Sequence, residues 1–239
     1  MIKSRFAKLL LLASFYLASL VIYIIFSCQD IITQLAIDNT LIKYVIVILS
    51  TVFSFISLLF VRVKKDFIQI LLRSFAFVFT LVADYFLLVL DDYYIVGVSV
   101  FIVAQLLHAF SLRFQFDYKK IENVLFAILR AIVPIILIII LLATNFATPN
   151  EAPLYILILI YFPQLVFNFV ETLYMFIKTR KKEALFLCIG FLLFIGCDIF
   201  VGLFKLVAYE YLIPVWLFYA PSQVLLSFCY LLNSLLNKE

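Results

Sequence analysis

The sequence predicts an all-α membrane protein, a bundle of eight transmembrane helices with both termini in the cytoplasm. Three observations lead to this prediction. Hydrophobic residues make up 67% of the 239 residues and charged residues 13%, whereas soluble domains contain roughly 45–50% apolar residues. The chain divides into eight apolar runs. Its basic residues recur at every second break between those runs, as they do in polytopic membrane proteins.

The eight apolar runs are bounded by charged residues or by proline-containing breaks. A helix needs about 20 apolar residues to cross a bilayer, and a chain in lipid satisfies its backbone groups only as a helix or a closed barrel. None of the runs shows the period-two alternation of a barrel strand. We therefore predict helices over 8–27, 41–61, 67–90, 93–113, 121–142, 154–177, 184–207 and 213–236.

The first run raises the question of a cleaved signal peptide, because it follows the basic residues Lys3, Arg5 and Lys8. It continues without a charge to Phe26 and contains no small-x-small cleavage pattern. We interpret it as the first transmembrane anchor.

Lysine and arginine predict the orientation. They cluster at the N-terminus, around 62–65, 113–120 and 178–182, and at Lys238, all on one side of the predicted bundle. The opposite loops are acidic, with Lys43 as the single nearby basic residue. The positive-inside rule places both termini in the cytoplasm. Because all connections are short, we expect one transmembrane domain over 1–239, in the plasma membrane, with its function among the helices.

Several function classes find no support. The chain has no Walker loop, Rossmann fingerprint, GxSxG elbow or HExxH motif. Its four cysteines are scattered, without the spacing of a metal site. The basic residues form no nucleic-acid-like patch. We predict no cofactor, no metal and no nucleic-acid partner.

Two aspartates interrupt apolar runs, Asp84 in span three and Asp198 in span seven. At 1.5 Å per residue, Asp84 lies about 10 Å below the outer edge and Asp198 roughly 14–18 Å below it. A charged side chain at the bilayer centre costs about 2.5–3.5 kcal/mol and normally marks a functional site. We predict a catalytic pair, one general acid and one carboxylate that handles water. The alternative is that both are hydrogen-bonding residues that hold helices together.

Other polar residues repeat at helical spacing. Arg73, Thr80, Asp84 and Asp91 are separated by near-whole numbers of turns, which predicts one polar face on span three. Span six has a similar stripe, formed by Tyr161, Gln164, Asn168 and Glu171. We expect Glu171 to be within reach of Arg73. The functional alternative is that Arg73, with Arg130, binds a lipid phosphate.

Further candidates for substrate binding lie close to the two aspartates in the sequence or at a similar depth in the membrane. Gln105 and His108 share one face of span four, and Lys205 follows Asp198 by seven residues on the same face of span seven. Lys205 is either a snorkelling side chain or a counter-ion of the aspartate. In span eight, Tyr219 and Gln223 lie one turn apart on either side of Pro221.

Four segments together resemble the YhhN-type, lysoplasmalogenase-like family of membrane proteins: "ADYFLL", "YYIVGVSVFIVAQLLH", "GFLLFIGCDIFVGLFK" and "WLFYAPSQVLL". The match is spread over about two thirds of the chain, in the family's order. Asp84, Asp198, Tyr219 and Gln223 match the family's polar positions. Ala83 and Cys197 replace its usual Gly and Ser, and Gln105 stands where it usually has His. Since glutamine cannot titrate, any proton-transfer role of that histidine is lost or moves to His108.

The resemblance implies an activity. Characterised members of the family hydrolyse the vinyl-ether bond of lysoplasmalogens and release a fatty aldehyde and a glycerophospho-ethanolamine or -choline. It implies a lysophospholipid substrate, taken from the surrounding membrane lipids. Two alternatives stay open, a transporter of small solutes or lipids, and a non-catalytic membrane protein.

Overall fold

The computed structural model describes residues 2–33, 38–61, 64–116, 118–144, 148–206 and 212–236. These residues form helices and short connections, and no strand occurs among them. The eight helices are α1 (Ile2–Thr33), α2 (Thr40–Ser57), α3 (Lys64–Asp84), α4 (Tyr94–Gln115), α5 (Lys120–Thr144), α6 (Ala152–Thr179), α7 (Lys182–Leu206) and α8 (Leu212–Leu236).

The predicted all-α membrane fold is confirmed. Seven of the helices are long and apolar enough to cross a membrane, and α8 contributes a shorter apolar stretch, Leu212–Phe228. The largest difference is α1, which extends several residues beyond the predicted run at both ends. Which membrane holds the protein, and which side its termini face, stay predictions.

The end of α3 departs from the α-helical pattern. A single π-helical turn, Tyr85–Val89, follows Asp84 directly, and the Leu90 amide donates to the Tyr85 carbonyl at 2.9 Å. This i to i+5 bond encloses one more residue than an α-turn does. Asp91 lies beyond the turn, exposed and with φ 46°. The expected polar face is therefore correct for the buried Arg73, Thr80 and Asp84 and wrong for Asp91.

The described chain divides into two compact units. The first consists of Met1–Arg62 and Thr172–Glu239, and in it α8 packs against α1, α2 and α7. Glycine lets α7 and α8 approach closely: a Cβ on Gly196 would lie 2.7 Å from the Phe218 ring. Phe26, Phe191 and Trp216 are among the rings of its core.

The second unit is Val63–Glu171, with α3, α4, α5 and the first part of α6. Here α3 and α4 form the closest pair, and Leu87 of the π turn fills the space beside Gly97 of α4. Most of α5 is exposed at its surface. Its buried residues, Phe126, Arg130 and Pro134, recur every fourth residue and form one narrow stripe.

Candidate functional site

Asp84 lies at the junction between α3 and the π turn, and only 2% of its surface is exposed. Thr80, one turn earlier on the same face, is fully buried. Within the described residues, the Thr80 hydroxyl oxygen has no hydrogen-bond partner. Isolated π turns inside helices occur often at functional sites. The last turn of α3 therefore presents a buried carboxylate beside a hydroxyl group that can take a further hydrogen bond.

Helix α4 adds an amide at the level of Thr80. The Phe77 ring meets the His108 ring edge-on, with 5.7 Å between centroids. Thr80 and Gln105 each lie three residues from this contact, on helices that run in opposite directions, so they occupy nearly the same level. Gln105 is fully buried, and its Nε2 has no acceptor among the described residues. His108 is about two turns, or roughly 10 Å, from the level of Asp84.

A chain of side-chain hydrogen bonds runs from Gln105 to α5. The Asn168 amide on α6 donates to the Gln105 carbonyl oxygen at 3.1 Å and to its Oε1 at 2.9 Å. The Asn168 Oδ1 accepts a bond of 2.7 Å from Arg130 Nη2. Because Asn168 holds the Gln105 oxygen, the Gln105 nitrogen faces away from this chain.

The Arg130 guanidinium is bonded on every nitrogen. Besides Asn168, its Nη1 donates to the backbone and side-chain oxygens of Gln164, both at 3.2 Å. Gln164 returns a bond from its Nε2 to the Arg130 carbonyl at 2.9 Å. The Nε donates to Glu171 at 2.8 Å. A buried charge needs this kind of hydrogen bonding in addition to its ion partner.

Glu171 accepts bonds from three side chains and is completely buried. Arg130 and Arg113 both reach its Oε1, at 2.8 and 3.2 Å, and the Tyr118 hydroxyl donates to Oε2 at 3.2 Å. Burial and the Glu171 charge raise the pKa of Tyr118 above its ordinary value. We call Arg113, Tyr118, Arg130, Gln164, Asn168 and Glu171 the arginine cluster. It contains two cationic guanidiniums and one carboxylate.

An open cavity of about 530 Å³ lies beside the arginine cluster within the second unit. Arg113, Arg130 and Gln164 line it together with Asn123, which accepts hydrogen bonds from Arg113. The remaining lining residues are apolar: Leu106, Ala109, Phe110, Ala127 and Ala131.

Arg73 is buried in α3 and donates to Gln115 near the end of α4. The sequence led us to expect Glu171 near Arg73. The carboxylate of Glu171 is bound by the arginines of α4 and α5.

The remaining predicted site residues belong to the first unit. Asp198 is half-buried in α7, four residues after Phe194. The Tyr219 ring on α8 contacts the rings of Phe194 at 5.4 Å and Trp216 at 5.6 Å. Gln223, one turn after Tyr219, is buried, and its Nε2 has no partner within the described chain. The side chain of Lys205 lies outside the described residues.

The predicted residues lie on two helix pairs, one in each unit. Asp84, Gln105, His108 and Arg73 lie on the paired helices α3 and α4. Asp198, Tyr219 and Gln223 lie on the paired helices α7 and α8.

The comparison with protein-family models decides the relationship of this chain. The model of the YhhN family matches residues 39–229. The chain belongs to the YhhN family. Neither the comparison with curated proteins nor that with solved structures returned a match.

The YhhN match extends from the start of α2 into α8 and covers the whole second unit. All eight predicted site residues lie inside it. So does the arginine cluster, which the sequence indicated through the polar stripe of α6 and through Arg130 as a candidate for binding a lipid phosphate. The sequence did not indicate Arg113 or Tyr118 as members of a site. Arg113 lies among the basic residues that we used to predict topology.

One buried ion pair lies partly outside the YhhN match. Lys43 Nζ and Asp30 Oδ2 are 2.8 Å apart, and both side chains are nearly inaccessible. The Asn39 amide donates to the other oxygen of Asp30 at 2.7 Å. The Lys43 ammonium lies over the rings of Phe26 and Trp216, at 5.9 and 5.5 Å from their centroids. This pairing explains why a lysine stands apart from the other basic residues of the sequence.

Proposed function

We propose that this YhhN protein is a membrane-embedded hydrolase that cleaves the vinyl-ether bond of lysoplasmalogens. Family membership and the membrane helices support a lipid substrate. The observation on which the proposal chiefly depends is Asp84, a carboxylate withdrawn from solvent at the start of a π turn. The nearby Thr80 hydroxyl and Gln105 amide have hydrogen-bonding capacity that the described residues do not use.

The reaction needs an acid and a base. A carboxylic acid protonates the β-carbon of the vinyl ether, and the resulting oxocarbenium ion is stabilised by nearby negative charge. Water adds to the cationic carbon as a carboxylate accepts its proton. The hemiacetal then breaks its bond to the glycerol oxygen, which takes a proton, and a fatty aldehyde and the glycerophospho head group leave. The net change is the addition of one water molecule across the cleaved bond.

Asp84 and Asp198 divide the acid and base roles in this proposal. Gln105, Tyr219 and Gln223 orient water and substrate, since each pairs a buried position with a hydrogen-bonding group. Arg73, His108 and Lys205 are proposed as further substrate-binding residues. No metal or cofactor takes part.

The test is an assay of purified protein on a lysoplasmalogen with detection of the released aldehyde. We expect Asp84→Asn and Asp198→Asn each to lower turnover by about 10²- to 10⁴-fold, the usual contribution of a general acid or base. Asp92→Asn is the matched control, because Asp92 is exposed beyond the π turn and the substitution removes the same charge.

Full activity in both aspartate variants would disprove the catalytic assignment. A wild-type protein that releases no aldehyde but supports counterflow uptake of a lipid or solute in proteoliposomes would show a transporter instead. If Asp84→Asn changes only the temperature of unfolding, the aspartate is structural.

A further inference from the structure

The cavity beside the arginine cluster has a charge imbalance. Two arginines line it, and none of its described lining residues is acidic. Their shared partner Glu171 neutralises one of the two positive charges. Within the described chain, this leaves one guanidinium charge uncompensated beside an otherwise mostly apolar cavity.

Arg113 is the side chain that can act on a ligand. Its Nη1 donates to Asn123 and its Nη2 to Glu171. A guanidinium carries five N–H groups, so within the part of the chain that the structure describes, Nε–H and a second Nη2–H remain beyond these bonds. The side chain is 20% exposed, whereas that of Glu171 is fully enclosed. The cavity is therefore lined by the Arg113 cation but not by the Glu171 carboxylate that partly balances its charge.

The lining also has a direction. Arg113 lies two residues before the end of α4 and Asn123 is the fourth residue of α5, so both lie near the connection between these helices. Leu106 and Ala131 are seven and eight residues further from it, about 10 and 12 Å at 1.5 Å per residue. A polar end near the helix termini and an apolar end deeper in the bundle match a lipid with its head group at the membrane interface.

We propose that this cavity binds the phosphodiester head group of a single-chain phospholipid, with Arg113 and Asn123 on the phosphate and the chain along α4 and α5. Arginine is favoured at such sites because its planar fork matches two phosphate oxygens. The cavity volume of about 530 Å³ falls within the roughly 300–1,000 Å³ of small-molecule sites. The choice of this lipid as the ligand rests on the proposed function, because the proposed substrate belongs to the same class. Binding itself does not require turnover.

Binding is measured by native mass spectrometry on the full chain in a neutral maltoside detergent. The probe is palmitoyl lysophosphatidylethanolamine, an ester lipid without a vinyl-ether bond. Monopalmitoylglycerol serves as the probe without phosphate, and inorganic phosphate as the probe without a chain. We expect the phospholipid to bind tighter than the glycerol lipid, and Arg113→Gln to weaken its binding by roughly tenfold or more.

Two further variants keep the result interpretable. Arg113→Lys retains the charge but loses the fork, so binding falls between wild type and Arg113→Gln. Lys120→Gln removes the same charge from an exposed position at the start of α5 and leaves binding unchanged. Helicity and the unfolding temperature of each variant identify any that fail to fold, and Asn123→Ala then replaces Arg113→Gln.

Equal binding of the lipids with and without phosphate would overturn the proposal, and so would equal losses in Arg113→Gln and Lys120→Gln. Binding of inorganic phosphate without binding of the lysophospholipid would show a free-anion site instead. Because the probe has no vinyl-ether bond, the two proposals are tested independently. A protein that releases no aldehyde can still bind the probe, and a protein that releases aldehyde can fail to bind it at this cavity.

Discussion

In the first unit, the buried carboxylate of Asp30 meets one cation, Lys43, and the pair is enclosed by aromatic rings. In the second unit, the buried carboxylate of Glu171 meets two cations, Arg113 and Arg130. Side-chain amides of α6 bond to Arg130. Aromatic rings are present here too: the Tyr118 ring lies 5.1 Å from the guanidinium of Arg113 and the Phe167 ring 5.8 Å from that of Arg130. One arrangement is electrically balanced and closed, and the other has an excess positive charge and borders a cavity.

The difference separates a structural role from a binding role. A balanced buried pair gains little over apolar residues of similar volume, because desolvation of both charges offsets their attraction. A cluster with excess charge differs, because its second cation is not neutralised within the cluster and can bind an anionic ligand. The following predictions break each arrangement in turn, from the largest expected effect to the smallest.

Arg130→Met should cause the largest loss of stability. It removes the Nε bond to Glu171 and the bonds to Gln164 and Asn168, and each buried polar group that is left without its partner costs about 1–3 kcal/mol. Unfolding in mixtures of dodecyl sulfate and maltoside, followed by circular dichroism, measures it. Adding Glu171→Gln should not restore stability, because Arg113 then loses its carboxylate. Restoration in the double variant would show that this cluster is also a simple pair.

Lys43→Met should cost a similar amount, about 3–5 kcal/mol, because it leaves Asp30 buried without its cation. Here the second substitution should help. Asp30→Asn removes the charge and keeps an oxygen for Asn39, so the double variant should lie within about 1.5 kcal/mol of wild type, the worth of an ordinary hydrogen bond. The fluorescence of Trp216, the single tryptophan, reports the change locally. No recovery in this double variant would contradict the comparison.

Asn168→Leu should have an intermediate effect, about 1–3 kcal/mol, because it leaves buried polar atoms of Gln105 and Arg130 unpaired at similar side-chain volume. Asn168 connects the arginine cluster to α4, so aldehyde release should also fall if Gln105 orients substrate. Loss of stability with full activity in the folded fraction would separate Gln105 from the reaction.

Tyr118→Phe should have the smallest effect, about 1 kcal/mol near neutral pH, from the lost bond to Glu171. Because the folded-state pKa of Tyr118 is raised above 10.0, the stabilisation is complete below pH 10 and declines as pH rises above it. The stability difference between wild type and Tyr118→Phe should therefore shrink above pH 10. Tyr93→Phe, at an exposed position, serves as the control. A difference that grows with alkaline pH would contradict the burial of this hydroxyl.

Most of the fold was predictable because membrane helices are set by length and apolarity. Helix α4 begins and ends within two residues of the predicted span. The π turn after Asp84 was not predictable, since it depends on packing that includes Leu87 against Gly97 and leaves no mark in apolar periodicity. The extra residue it encloses is also why the spacing rule failed at Asp91.

The candidate site was predictable only in part. Burial of Asp84 and Gln105 followed from polar residues at helical spacing inside apolar runs. The partners of Glu171 did not, because Arg113 and Arg130 lie 58 and 41 residues away in sequence. Contacts at such separations depend on which helices become neighbours, and one sequence carries no direct record of that.

The π turn makes the end of α3 unusually tolerant of one kind of change. The backbone bond from Leu90 to Tyr85 spans five residues where an α-helix spans four. Deletion of a single residue within Tyr85–Val89 would convert this turn to the common form without moving Lys64–Asp84 out of phase. The same deletion one turn earlier would rotate Arg73 relative to Asp84 by about 100°, since an α-helix has 3.6 residues per turn. We therefore expect this helix to tolerate a change of length best in the stretch just after the buried aspartate.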